Sequence, residues 1–239
     1  METFIILVKL LCAHLFSDFI LQSDSLNNGK HNQGAKGICS QLLHSGIHAA
    51  TAYLFVADWS CWIIPVAIFA SHFIIDMVKC KFCEDNLCSF IIDQICHIAV
   101  IVILWYALFR TNIELPSVDT ICSFRVWGIA LAYILMLKPS SVLLTLFLGR
   151  WAPASQNTQS LPNAGKWIGY IERILILTFV LIGNIESVGF LLAAKSVFRY
   201  GELNKAKEIR TTEYVLIGTL ASFTIAILTG LAISCMLFS

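Results

Sequence analysis

The sequence predicts an all-α, polytopic membrane protein of about seven or eight helices, the first four forming a bundle. Hydrophobic residues make up 58% of the 239-residue chain and charged ones only 13%, against about 25% charged in a soluble domain. Mostly apolar stretches of about 18 residues or more recur, the length a helix needs to cross the hydrocarbon layer. A third observation predicts the bundle. Four pairs of ionisable residues spaced i, i+4 lie in these stretches: His14–Asp18, His44–His48, His72–Asp76 and Asp93–His97.

The first span runs from Phe4 to Gln22. It lacks the basic n-region of a cleavable signal and carries His14 and Asp18, so it is read as a transmembrane helix. A polar loop follows, containing His31, with Asn27-Asn28-Gly29 as its turn signal. The second span covers Ile38–Ala57, and a short turn at Asp58-Trp59 leads to the third, Cys61–Val78. The loop Lys79–Asn86 precedes the fourth, Leu87–Phe109. After polar residues 110–119, a fifth span ends near Leu137, where Lys138 seeks the interface and Pro139 interrupts the hydrogen-bond ladder. Ser140–Trp151 is apolar but too short to cross and reads as an interfacial helix. The Pro-, Ser-, Asn- and Gln-rich stretch after it reads as a flexible linker and the main domain boundary. Trp167–Ile182 and Ser187–Phe198, parted by Gly183-Asn184, are either short crossings or a re-entrant hairpin, and Tyr214–Phe238 is the last span.

These readings divide the chain into a four-helix bundle (1–110), a fifth helix with an interfacial helix (111–151), a cytoplasmic linker (152–166) and C-terminal helices with a basic cytoplasmic loop (167–239). Charge asymmetry sets the orientation. With the first loop inside, the cytoplasmic side collects Lys30, Lys36, Lys79, Lys81, Lys138, Arg150, Lys166, Arg199, Lys205, Lys207 and Arg210, and the outside keeps Arg110 and Arg125. Both termini are then outside. All four ionisable pairs come to lie in the cytoplasmic third of the bilayer, where they can meet.

On a helix, an i, i+4 step stacks two side chains on one face. The first hairpin reads HxxxD then HxxxH, the second HxxxD then DxxxH. Two such hairpins face to face make a pseudo-symmetric bundle with its ligands inside. Ionisable groups in lipid must pair, bind something or line water. Here five imidazoles (His14, His44, His48, His72, His97) and three carboxylates (Asp18, Asp76, Asp93) form a nitrogen–oxygen donor set. It suits a divalent metal, zinc first, with iron or manganese as alternatives, in one or two ions. An aspartate left unligated can serve as general base, so Asp18, Asp76 and Asp93 are the candidate catalytic groups. Gln22 and Gln94 stand near enough to orient ligands or substrate. Ser17, Ser45 and Ser71 adjoin site residues, but no nucleophile, HExxH or phosphate-loop motif is present.

Net charge +1 argues against nucleic acid as a partner. Of the nine cysteines, Cys12, Cys61, Cys96 and Cys235 read as small hydrophobes in or beside the spans. Cys80, Cys83 and Cys88 read as reduced thiols in a cytoplasmic loop; a lone CxxC is a weak metal signal. Lys195 and Arg199, in a basic run at the inner face, can hold anionic lipid head groups, although an ordinary positive-inside anchor explains them more simply. Glu172-Arg173 reads as a local or interhelical ion pair.

The run His14-x-x-x-Asp18-Phe19-x-Leu21-Gln22, with the following HSxxH, HFxxD and DQxxH, resembles an uncharacterised bacterial integral-membrane domain family. The segments starting at Gly165, Gly189 and Glu213 resemble its longer members. The resemblance implies a bacterial inner-membrane protein. The His/Asp set is also similar in style to membrane-bound metal-dependent hydrolases. The leading expectation is therefore metal-dependent hydrolysis of a lipid or lipid-linked substrate at the cytoplasmic leaflet. The alternatives are a proton- or metal-ion-coupled carrier, and a non-catalytic subunit whose structural metal site and basic face recruit a soluble partner. Membrane lipids are the first expected partners, and a homo-oligomer fits the sequence equally well.

Overall fold

A computed structural model of the chain describes residues 2–30, 32, 34–82, 84, 86–109, 118–152, 164–203 and 209–238. These residues are predominantly helical, with no strand among them. The chain divides into two compact units, Met1–Ile134 and Leu135–Ser239. The division falls ahead of the Pro-rich linker that the composition singles out, most of which (153–163) lies outside the described residues.

In the first unit, α1 (Glu2–Phe16) passes into a single π-helical turn, Ser17–Leu21. There the Gln22 amide bonds the Ser17 carbonyl at 3.0 Å. A short helix α2 (Asp24–Lys30) follows, then α3 (Ala35–Val56), α4 (Ile63–Phe82), α5 (Leu87–Phe109) and α6 (Val118–Met136). Helices α1, α3, α4 and α5 close a ring in that order, each packed on the next and α5 back on α1. This is the four-helix bundle expected of two hairpins. At α5 the closure is helped by the Trp105 indole, which donates to the Thr3 carbonyl.

Helix α2 replaces the loop expected at Asn27-Asn28-Gly29. Asn and Gly are poor helix formers in isolation, but the Ser23 hydroxyl accepts from the Leu26 amide at 3.2 Å, in the manner of an N-cap. The helix is also held against α3. The link between them needs Gly37, because a Cβ there would sit 2.1 Å from the Asn32 carbonyl oxygen. At the opposite end of the bundle, Ala57 closes α3 in the left-handed conformation (φ 59°). Its turn is tied by Asp58, whose Oδ1 accepts from the Ser60 amide and hydroxyl at 3.1 and 2.5 Å.

The bundle interior has two layers. Leu10, Ala13, Ala52, Val56, Ile64, Ile68 and Ile101 form an apolar cluster. One to two helical turns along the same helices, the ionisable pairs fill the other layer. Outward faces are apolar instead: Leu54, Ile74 and Ile103 are all more than half exposed. Burying charge while exposing large aliphatic side chains inverts the pattern of a water-soluble domain and suits a lipid surround. Among the described residues, five segments are long and apolar enough to cross a membrane: Thr3–Leu21, Ile63–Phe82, Leu87–Phe109, Phe124–Trp151 and Thr212–Met236. Helix α3 is not one of them, because His44, His48, Gln41 and its serines lower its hydropathy. Its 22 residues nevertheless give about 33 Å of helix at 1.5 Å per residue, matching its ring neighbours.

In the second unit, α7 (Lys138–Leu148) starts one residue beyond α6 and ends in a 3-10 turn, Gly149–Trp151. The stretch read as a separate interfacial helix thus falls, by length and composition, inside one candidate span with α6. Pro139 cannot donate to the Leu135 carbonyl, and the Ser140 hydroxyl takes that acceptor instead. The Met136 carbonyl is taken by Arg173 Nε at 2.8 Å. Helices α8 (Ala164–Leu181), α9 (Ile185–Leu203) and α10 (Ile209–Phe238) complete the unit. α10 packs closely on α8, and a Cβ at Gly230 would lie 2.7 Å from Val180 Cγ1. Small residues that let backbones approach are a recurring device of membrane helix pairs.

Candidate metal centre

All eight residues of the four i, i+4 pairs converge inside the bundle. His14, His44, His48, His72, Asp76, Asp93 and His97 are buried, and the Asp18 side chain is only 12% exposed. The Asp18 carboxylate is the focus. Its Oδ1 lies 3.1 Å from His44 Nε2, 3.1 Å from His48 Nε2 and 3.7 Å from His72 Nε2. His44 Nε2 and His72 Nε2 are 3.2 Å apart. Asp18 reaches this position from the π-turn that ends α1. Such turns recur at functional sites because they re-aim a helix face.

These spacings can be tested against an ion. Four ligands bound tetrahedrally at about 2.0–2.1 Å stand about 3.3–3.4 Å from one another. Four of the six edges among Asp18, His44, His48 and His72 run from 3.1 to 3.7 Å, and all four residues offer a ligand atom within 4.8 Å of the others. One oxygen and three imidazoles thus form a compact, nitrogen-rich donor set that suits zinc.

A second potential ligand group, His72, Asp76 and His97, shares His72 with the first. His97 Nε2 lies 3.5 Å from both Asp76 Oδ1 and Asp93 Oδ1. His97 Nε2 and Asp93 Oδ1 are buried with no hydrogen-bond partner among the described residues, as is His44 Nδ1. This group differs from the first in charge, because lysines compensate its carboxylate, Asp76, and the neighbouring Asp93. Lys30 Nζ donates to Asp76 Oδ2 at 2.6 Å, and Lys79 Nζ to Asp93 Oδ2 at 2.9 Å. Among the described residues, the Asp18 carboxylate contacts imidazoles and an amide but no ammonium. The uncompensated charge is thus in the first group, which is where a cation belongs.

His14 stands beside this group. Its Nε2 lies 3.6 Å from Asp18 Oδ2 and donates to Gln94 Oε1 at 3.3 Å, so its contact role is to position. The Gln94 amide in turn donates to Asp18 Oδ2 at 3.2 Å and Asp93 Oδ2 at 3.3 Å, joining the two groups. Gln22 accepts from Lys30 at 3.3 Å and donates to Asn27 at 2.6 Å. Ser45 and Ser71 hydroxyls donate to carbonyls of their own helices, those of Gln41 and Ile68.

The sequence reading treated Lys30 and Lys79 only as topology markers. Lys79 carries a usable signal, being three residues beyond Asp76 on the same helix face. Lys30 carries none, since its approach depends on the unforeseen α2. Of the expected lipid-binding cations, Lys195 instead makes a 2.5 Å ion pair with Glu172, and the Arg199 side chain lies outside the described residues, as do His31 and Cys83. Glu172 and Arg173 do not serve mainly each other; Arg173 donates to Met136 and, at 3.3 Å, to Ser222 Oγ.

The fold and site define a helical polytopic protein with a buried His/Asp cluster able to hold a metal ion. Residues 6–123, the segment carrying every member of the cluster, match the family described as "Protein of unknown function (DUF3307)". No curated protein and no solved structure matches the chain.

Proposed function

We propose that the protein is a metal-dependent hydrolase of the bacterial inner membrane, acting on a lipid or lipid-linked substrate at the cytoplasmic leaflet. The observation that supports this best is the set of three imidazoles around the Asp18 carboxylate at metal-ligand spacing. One divalent ion, zinc by donor type, would be held by Asp18, His44, His48 and His72. When bound, it would make a water more acidic and polarise a substrate oxygen. Asp76 or Asp93 would serve as the general base, and Gln94, which donates to Asp18 and Asp93, would keep both groups in register. The positive-inside asymmetry puts the cluster near the inner face with both termini outside.

An apolar layer, Leu10, Ala52, Ile64 and Ile101 among its members, lies between the cluster and the far end of the bundle. The buried members of this layer are all apolar, which speaks against the carrier reading. A structural metal site remains as the second reading, favoured by one observation: four protein ligands suffice to close a tetrahedral zinc.

Elemental analysis of the purified protein tests the first step, with about one zinc per chain expected for wild type and loss of it in His48→Ala. Incubation with total bacterial lipid extract tests the second. Asp76→Asn and Asp93→Asn proteins that retain zinc are expected to show head-group release reduced about 10²–10⁴-fold in whichever variant lacks the base. Zinc bound with no water ligand by X-ray absorption, and no release from any lipid, would leave the structural reading standing.

A further inference from the structure

We propose that Lys30 and Lys79 are a phosphoryl clamp, and that the ligand of this metal centre carries a phosphate group. The inference rests on the metal reading above and names the substrate class.

Three features of the site carry it. The first is charge. Asp18, Asp76 and Asp93 contribute three negative charges and the two lysines two positive ones, so with neutral imidazoles the cluster is one unit negative. A divalent ion turns that into one unit positive. The loaded centre therefore attracts an anion, and a buried site of this kind binds one far more readily than water-exposed lysines do.

The second is placement. Lys30 and Lys79 come from different elements, α2 and α4, and both reach carboxylate Oδ2 atoms whose Oδ1 partners lie 3.5 Å from the same nitrogen, His97 Nε2. The ammoniums therefore flank one imidazole, which is itself stacked on the ligand His72 at 3.9 Å between ring centroids. A phosphate has three terminal oxygens to share among two ammoniums and a metal ion; a carboxylate has two. Lysine serves phosphate as a mobile point charge on a flexible stem, the kind of group that can leave one anion for another.

The third is exchange. Lys30 is 7% exposed in its side chain and Lys79 is 30% exposed, so Lys79 faces the way in and Lys30 lies deeper. An arriving phosphate takes both ammoniums. That releases Asp76 and Asp93 as free carboxylates beside the metal, one of them the general base. Phosphate and metal then favour each other's binding, and linkage makes the coupling reciprocal.

The test is a zinc titration of metal-stripped protein in dodecyl maltoside micelles, which contain no phosphate. It is run alone, with inorganic phosphate, and with phosphatidic acid mixed into the micelle. The clamp predicts zinc affinity tightened about 5–150-fold by a phosphate source. Tightening by inorganic phosphate identifies a soluble or free phosphoryl group, and tightening by phosphatidic acid alone identifies a lipid head group. Lys30→Gln and Lys79→Gln are expected to keep zinc and lose the tightening, and Lys79→Arg to keep part of it. Lys79→Gln guards against a folding defect in Lys30→Gln, because its side chain is partly exposed. Zinc bound without any phosphate effect in wild type overturns the clamp and leaves the metal centre intact. The same holds for coupling that persists undiminished in both lysine variants. Failure of wild type to bind zinc overturns the metal reading and the clamp with it.

Discussion

Arg173, in the unit 135–239, is buried and Asp18, in the unit 1–134, is only 12% exposed in its side chain; both are ionisable groups on apolar helices, but they are satisfied differently. Arg173 bonds a carbonyl freed by the break at Pro139 and a neighbouring hydroxyl. Close by in sequence, Glu172 has Lys195 as a single salt-bridge partner. These charges do structural tasks. Asp18 is surrounded by four imidazoles and an amide, none of which helix continuity requires. Membrane helices can carry a charge to mend a backbone defect, but a cluster with more donors than its own pairing needs is built around something else.

The comparison can be broken most severely at Asp18. Asp18→Asn keeps the shape and removes the charge, and it is expected to weaken zinc binding by more than about 100-fold, beyond what loss of an orienting partner costs. An unchanged zinc content by elemental analysis would make Asp18 structural, like Arg173. Arg173→Met should do the reverse, lowering stability by about 1–3 kcal/mol by leaving buried acceptors unpaired while zinc content stays at the wild-type value. A thermal melt in detergent, read alongside metal content, separates the two. Gly230→Val, which drives a side chain into Val180, is expected to cost a similar or smaller amount, about 1–2 kcal/mol of overpacking, again with zinc unchanged. Glu172→Gln should cost about 1 kcal/mol, discounted because Lys195 is partly exposed. The double variant Glu172→Gln/Lys195→Met should recover part of it if the pair is only a local neutralisation.

Much of the first unit is legible in its sequence. Hydropathy marks α1, α4 and α5 to within a few residues, and the i, i+4 spacing puts each ionisable pair on one face because the helical repeat alone dictates it. What resisted reading depends on partners distant in sequence. The Asn27-Asn28-Gly29 stretch carries turn chemistry, yet it is helical where α2 docks on α3, and only that docking brings Lys30 to Asp76. The π-turn at Ser17–Leu21 has no sequence signature of its own. In the second unit, Glu172-Arg173 reads as a local or an interhelical ion pair; the structure shows the interhelical one, Glu172 with Lys195, while Arg173, about 100° round the helix, meets other partners.

The sequence by itself determined the long apolar helices and which side chains share a helix face, since each follows from local periodicity and composition. Only the tertiary structure decided which donors meet. It gathered His44, His48 and His72 on Asp18, turned His14 to Gln94, and gave Asp76 and Asp93 a lysine each. The physical reason is that ligand spacing is set to within tenths of an ångström by packing between helices, and no single helix encodes that distance.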